Sequence, residues 1–220
     1  MDDLSLGFHR TTPSKGFALY KGKGTYTDSI MLSNAGLRGK GKVDYLFTSF
    51  NSQDILFFPD SLDAITDSFS MKKTTYQGYT YPMVNGFDND IHWLPYGDSM
   101  YIKMRTVPFT MYEDGSNLKG NLLLTPKGLK GDGRFEFKEA VLASTQFNFK
   151  SESMSSDTMS MQIKSIGEDR VTFNTPNVSG DVDFVKRQGQ FKANDENIPT
   201  DFSNNYYKTE INEFFWDMDA

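Results

Sequence analysis

The string GLRGKG at residues 36–41 returns as GLKGDG at residues 128–133, 92 positions later. At that offset residues 30–73 align with 122–165 without a gap. Eleven of the 44 positions are identical, among them Leu32/Leu124, Gly36/Gly128, Gly39/Gly131, Gly41/Gly133, Ser52/Ser144, Phe57/Phe149 and Ser61/Ser153. Others keep their type: Val43 faces Phe135, Asp44 faces Glu136, Tyr45 faces Phe137 and Met71 faces Ile163. More weakly, GFALY (16–20) aligns with PFTMY (108–112). With a one-residue gap, NDIHW (89–93) aligns with GDVDF (180–184). The chain therefore reads as one continuous β domain: a lead-in at 1–15, units at 16–107 and 108–199, and the start of a third unit at 200–220. Such a chain is expected to be an internal piece of a longer repetitive protein.

Within each unit apolar residues alternate in short runs: Val43/Tyr45, Ile55/Phe57, Phe69/Met71, Phe135/Phe137, Phe147/Phe149, Met159/Met161/Ile163. Period two marks half-buried strands. Turn formers such as SNAG, NSQD, TPKG and NVSG separate the runs, and no helical stripe of useful length is present. SLDAITDSF (61–69) has a helix-like composition, but its counterpart SMSSDTMSM does not, so both read as strand or loop. The fold class is all-β. The expected architecture is a parallel β-solenoid built from super-repeats of about 92 residues. An antiparallel β-sandwich and an open β-groove are the alternatives.

In this reading the glycines are structural. Gly39 and Gly41, like Gly131 and Gly133, fall at alternate positions and so would share a strand face, marking a bulge, a bend or a close backbone approach. Gly36, Gly128, Phe57 and Phe149 complete the set of structural repeat positions. A phosphate-cradling loop is excluded, since there is no GxGxxG, no following helix and no Lys-Ser/Thr pair.

Composition narrows the class further. Hydrophobic residues make up 37% and aromatics 15%, too apolar for a disordered chain. The net charge of −6 is spread out and no basic stripe interleaves with aromatics, so nucleic acid is not an expected partner. The absence of cysteine removes disulfides, thiolate metal sites and cysteine nucleophiles together. No apolar run reaches the ~20 residues of a membrane helix, and the N-terminus carries no signal-peptide pattern.

The stretches LSNAGLRGKGKVDYLFTSFNSQDILFFPDSLDA, DIHWLPYGDSM and PFTMYEDGSNLKGNLLLTPKGLKGDGRFEF together cover much of the chain. They resemble repeat regions of large exported cell-envelope proteins of Bacteroidetes-type bacteria, LTPKGLKGDG being the most specific part. The resemblance implies export, β-rich repeats and a surface or periplasmic setting. It implies no catalytic residue.

Candidate chemistry is sparse. His9 and His92 stand alone, without a second histidine at ligand spacing, and no GxSxG elbow surrounds any serine. Carboxylates alternate at Asp88/Asp90 and Asp181/Asp183, and Asp195/Glu196 follow; such pairs serve polysaccharide-cleaving β-helices, but also ordinary solvated turns. The possible glycan-binding set is Trp93 and Tyr96 with Asp88 and Asp90. Tyr101 lies close by in sequence, and Phe214, Phe215 and Trp216 crowd the C-terminus. The expected function is a non-enzymatic structural or adhesive repeat segment, without cofactor or metal, whose partners are other repeats of the parent chain. A polysaccharide-binding or polysaccharide-degrading module and a periplasmic lipid-conduit groove are the alternatives.

Overall fold

Short connections decide the topology. Ser33 and Gly36, Tyr45 and Thr48, and Thr125 and Gly128 end and begin successive strands with two residues between them. A two-residue link makes a hairpin; a parallel pair needs a crossover of a dozen residues or more. In the computed structural model, which describes residues 8–11, 16–165, 170–195, 199–203 and 206–219, every strand pairing is antiparallel. The chain is all-β, and the parallel solenoid is corrected to an antiparallel meander. Period two alone does not distinguish the two, because inward and outward side chains alternate in both.

The first half comprises β1 (Phe8–Thr11), β2 (Phe17–Leu19), β3 (Gly24–Ser33), β4 (Gly36–Tyr45), β5 (Thr48–Phe57) and β6 (Leu62–Met71). A small hairpin follows, β7 (Thr74–Tyr76) and β8 (Tyr79–Tyr81), and then β9 (Val84–Gly86) and β10 (Asn89–Leu94). The second half comprises β11 (Ser99–Met104), β12 (Phe109–Met111), β13 (Ser116–Thr125), β14 (Gly128–Glu136), β15 (Ala140–Phe149), β16 (Ser153–Lys164) and β17 (Val171–Asp183). After these come β18 (Gln188–Ala193), β19 (Pro199–Phe202), β20 (Tyr207–Glu210) and β21 (Glu213–Asp217). β9 and β10 both pair with β6, and β11 and β12 both pair with β13, so each couple acts as one long interrupted strand. Among the described residues, successive long strands lie side by side in one 19-stranded sheet, and β7 and β8 pair only with each other.

The sheet is folded over on itself. Tyr26 lies opposite Val43 on β4, and Phe57 lies opposite Leu37 on the same strand. Six residues of straight strand span about 20 Å, yet the two rings are 5.2 Å apart. Phe135 on β14 and Phe149, opposite Leu129 six residues along the same strand, are 5.9 Å apart. Each long strand therefore bends near its middle, and its two arms face each other. The bend shows in the burial pattern: β5 buries residues 48, 50 and 52, then 55 and 57, while β6 buries 62, 64 and 66, then 69 and 71. One extra residue at each bend keeps both arms apolar on the inside. Ladder register shifts at Gly39/Gly41, around Ser52, at Gly131/Gly133 and between Ser156 and Met159 mark the line.

The glycines make this bend possible, though not by sharing a face. A Cβ on Gly39 would point inward, 2.6 Å from the Tyr26 hydroxyl and 2.7 Å from Phe57. Gly41 has φ +146°, and a Cβ there would lie 2.2 Å from the carbonyl oxygen of Thr27. The bulge between them turns the two positions apart, which alternation alone could not foresee. Across the fold line the arms fill the interior with one cluster of apolar side chains, including Trp93, Tyr26, Phe50, Phe109, Phe135 and Phe191. Full burial of each large apolar side chain stabilises by about 1.5–3 kcal/mol.

Positions 92 residues apart behave alike. Gly41 and Gly133 both have positive φ, as do Tyr20 and Tyr112. The Phe58 N–H donates to Ser61 O (2.9 Å), and the Lys150 N–H to Ser153 O (2.8 Å). Beyond β6 the spacing shortens. Twelve residues separate the paired Met71 and Val84, while nine separate the paired Ile163 and Phe173. Trp93 lies opposite Leu62 and Val182 opposite Met154, so Trp93 matches Val182 rather than Phe184. The sequence alignment of NDIHW with GDVDF is two residues out of register there.

Candidate functional site

Folding the sheet brings opposite strand ends together in a seam. Tyr20, beside the β2–β3 turn, reaches across to the carbonyl oxygens of Phe58 (3.1 Å) and Ser61 at the β5–β6 turn. In the second half the Tyr112 hydroxyl donates to Ser153 O at 2.9 Å. Tyr20 packs edge-on against Trp93, at 5.3 Å, and Tyr112 stacks on Phe184, at 3.7 Å. Thus Phe184 takes the ring-packing role of Trp93 although Val182 takes its ladder position. Lys23–Asp98 (2.6 Å) and Lys73–Glu152 (3.0 Å) add surface ion pairs across the seam. Desolvation pushes the Tyr20 and Tyr45 hydroxyls up to about 12 and Tyr112 well above its ordinary value, so all three stay neutral, Tyr20 and Tyr112 as the donors just described and Tyr45 buried without a partner among the described residues.

The residues singled out from sequence fall in different places. Trp93 is fully buried, whereas Tyr96 is half exposed beside Tyr20. Asp88 sits at the bend with φ +51°, accepting from the Thr106 hydroxyl at 2.6 Å. Asp90 lies on the outer face, and Arg105 reaches both carboxylates, at 3.3 and 3.4 Å. The fold therefore separates Trp93 from Asp90: odd positions of β10 point inward and even positions outward. Asp183 accepts the Lys186 and Val185 N–H groups, both at 2.9 Å, and these bonds hold its carboxyl below the usual range. It is a turn-forming residue, and Asp181, two residues before it, is exposed. Glu196 lies outside the described residues, as does the side chain of His9; Asp195 is exposed.

On the outer face His92 pairs with Asp63 at 2.5 Å and lies 6.4 Å from the Tyr101 ring. All three are solvent-facing cross-strand neighbours, a geometry that suits a surface pair. Among the described residues no group of three or more His, Asp or Glu is gathered for a metal ion. No helix among the described residues is long and apolar enough to cross a membrane.

A cleft of about 900 Å³ lies on the seam of the second half. Its floor is formed by Phe137, Ile163, Trp216 and Met218, and its rim carries Asp114, Glu136, Glu139, Asp217 and Asp219 with Lys138 and Arg187. Phe137 meets Trp216 edge-on at 4.9 Å across the seam. Arg187 makes two bonds of 2.6 Å to Asp219, which hold that carboxyl below its usual range. A smaller cleft of about 420 Å³, lined by Lys73, Tyr112, Glu152 and Phe184 among others, adjoins it. Sequence reasoning picked out Phe215 and Trp216 but not the cleft they line, because its walls come from five separate turns and strand ends. One signal was present: buried Tyr45 and half-buried Phe47 align with Phe137 and Glu139, so a carboxylate replaces an aromatic at the seam.

Comparison with known protein families, characterised proteins and solved structures finds no match to this chain.

Proposed function

We propose that this chain is a non-enzymatic structural and adhesive segment of a larger exported cell-envelope protein, built to be extended by further repeats. The observation that carries the reading is the continuous folded sheet. Its interior is packed by side chains from both arms, from Tyr26 near one end to Phe191 near the other. A scaffold needs such a core, whereas an enzyme of this size needs convergent polar groups in a pocket. The described carboxylates of the sequence candidates are engaged at bends and turns, or exposed on the outer face. The cleft on the second seam is the surface suited to adhesion.

Glycan binding has one favouring observation, the exposed rings of Tyr96 and Tyr101 (50% and 47%) in the first half. A lipid conduit would require the arms to part, because the described interior is occupied by protein. Native mass spectrometry on gently purified protein, together with a panel of acidic and neutral polysaccharides, tests the reading. A bare monomer mass and no new reducing ends are expected. A mass excess that dissociates as lipid, or polysaccharide cleavage, would overturn it.

A further inference from the structure

The cleft of the second half has a filled counterpart in the first. There the seam runs between Tyr45 and Phe47 on one side and Thr125 on the other. The β7–β8 hairpin enters this gap. Tyr81 is fully buried in it, its ring 4.3 Å from that of Phe47 and its hydroxyl 2.9 Å from Thr125 O. Tyr76 closes the outside, 6.0 Å from Phe47. Ninety-two residues on, Tyr45, Phe47 and Thr125 become Phe137, Glu139 and Asp217, all of which line the open cleft. The hairpin's sequence, KKTTYQGYTYP (72–82), carries four aromatic or proline side chains and two lysines. The corresponding stretch after Ile163 begins KS and contains no tyrosine.

We propose that this cleft is a docking site for an extended, basic, tyrosine-bearing peptide segment of a partner protein, which fills the seam as Tyr81 fills the first one. The proposal rests on the adhesive reading above and names its partner chemistry. Charge supports the choice. The rim carries five acidic and two basic side chains, and Glu139, Asp217 and Asp219 replace Phe47, Thr125 and Lys127 of the first half. Phe137 and Trp216 supply the aromatic floor on which a tyrosine ring packs, and the acidic rim favours Lys or Arg beside it.

The chain offers its own reporter. Of its two tryptophans, Trp93 is sealed, and Trp216 lies in the cleft. The test titrates the intact protein with the synthetic peptide KKTTYQGYTYP and reads Trp216 emission and its quenching by acrylamide. Saturable protection of Trp216 is expected. Binding should weaken at least about tenfold in Glu139→Lys/Asp217→Lys, with the circular dichroism spectrum unchanged, and fail for the acidic analogue EETTYQGYTYP. Three results would overturn the proposal: no protection at millimolar peptide, equal binding of the acidic analogue, or concentration-dependent self-association abolished by the double variant. The last would assign the cleft to a second copy. None of these touches the scaffold reading, which fails on lipid or polysaccharide cleavage instead.

Discussion

Replacing Gly131 by alanine puts the bend to a quantitative test. The new Cβ would lie 2.7 Å from the carbonyl oxygen of Asn121, 2.8 Å from the Phe149 ring and 3.1 Å from Leu122 Cδ2. The oxygen belongs to the backbone of the neighbouring strand, so relief requires the β13–β14 ladder to move by several tenths of an ångström. Overpacking of this kind costs about 1–3 kcal/mol. The lower entropy of the unfolded alanine chain returns up to about 1 kcal/mol of that. For 220 residues, an unfolding entropy of about 2.1 cal/mol/K per residue makes 1 kcal/mol worth roughly 2 °C. Gly131→Ala should therefore melt about 2–6 °C below a glycine-to-alanine variant that gains the same entropy but meets no such contact. Gly97→Ala is the matched control. Its Cβ would meet nothing closer than 3.6 Å, and the backbone there is not left-handed, so its melting temperature should hold or rise slightly. Differential scanning calorimetry on the pair decides the matter. If both variants melt together, the close approach at the bend is not what requires glycine.

Two further outcomes follow from buried polar groups. Asn89 is fully buried and neither atom of its side-chain amide has a partner, while Val178, which like Asn89 follows a left-handed bend residue, is also fully buried. Asn89→Val should raise stability in urea unfolding by about 1–2 kcal/mol; a loss would mean that something satisfies the amide. Burial raises the tyrosine pKa values, to about 12 for Tyr20, Tyr26 and Tyr45, and it raises that of Tyr112 well above its ordinary value. The folded state then holds these protons while the unfolded state releases them near pH 10. The resulting stability is fully present below pH 10 and is lost as pH rises toward and past 12. Absorbance at 295 nm should show exposed tyrosines titrating first and the buried ones ionising together with unfolding. A single transition near pH 10 with the fold intact would contradict this.

Much of the strand content was legible because period two survives in each arm. Ile55/Phe57 and Phe69/Met71 are visible as alternating pairs and are buried as such. The fold-over was harder to see. Residues 52 to 55 and 66 to 69 step by three, and in sequence that step looks like noise between two runs. The antiparallel direction was present in the two-residue gaps after Ser33, Tyr45 and Thr125, but it is decisive only once the strand ends are fixed, since boundaries drift by a residue or two. The seam could not be read at all. Tyr20 and Ser61, or Phe137 and Trp216, meet only because the sheet closes, and no local pattern encodes that closure. Trp93 illustrates the cost: paired with Asp88 and Asp90 it suggests a sugar platform, but strand alternation and the bend send the ring inward and the carboxylates to the bend and the outer face.

The measurement that tests the folded sheet most directly is an aromatic NOE between Tyr26 and Phe57 in protein with selectively labelled rings. With centroids 5.2 Å apart, strong ring–ring cross-peaks are expected, with a matching set between Phe135 and Phe149. In a sheet whose strands run straight the same residues stand about 20 Å apart. Absence of both cross-peaks in well-folded protein would contradict the account.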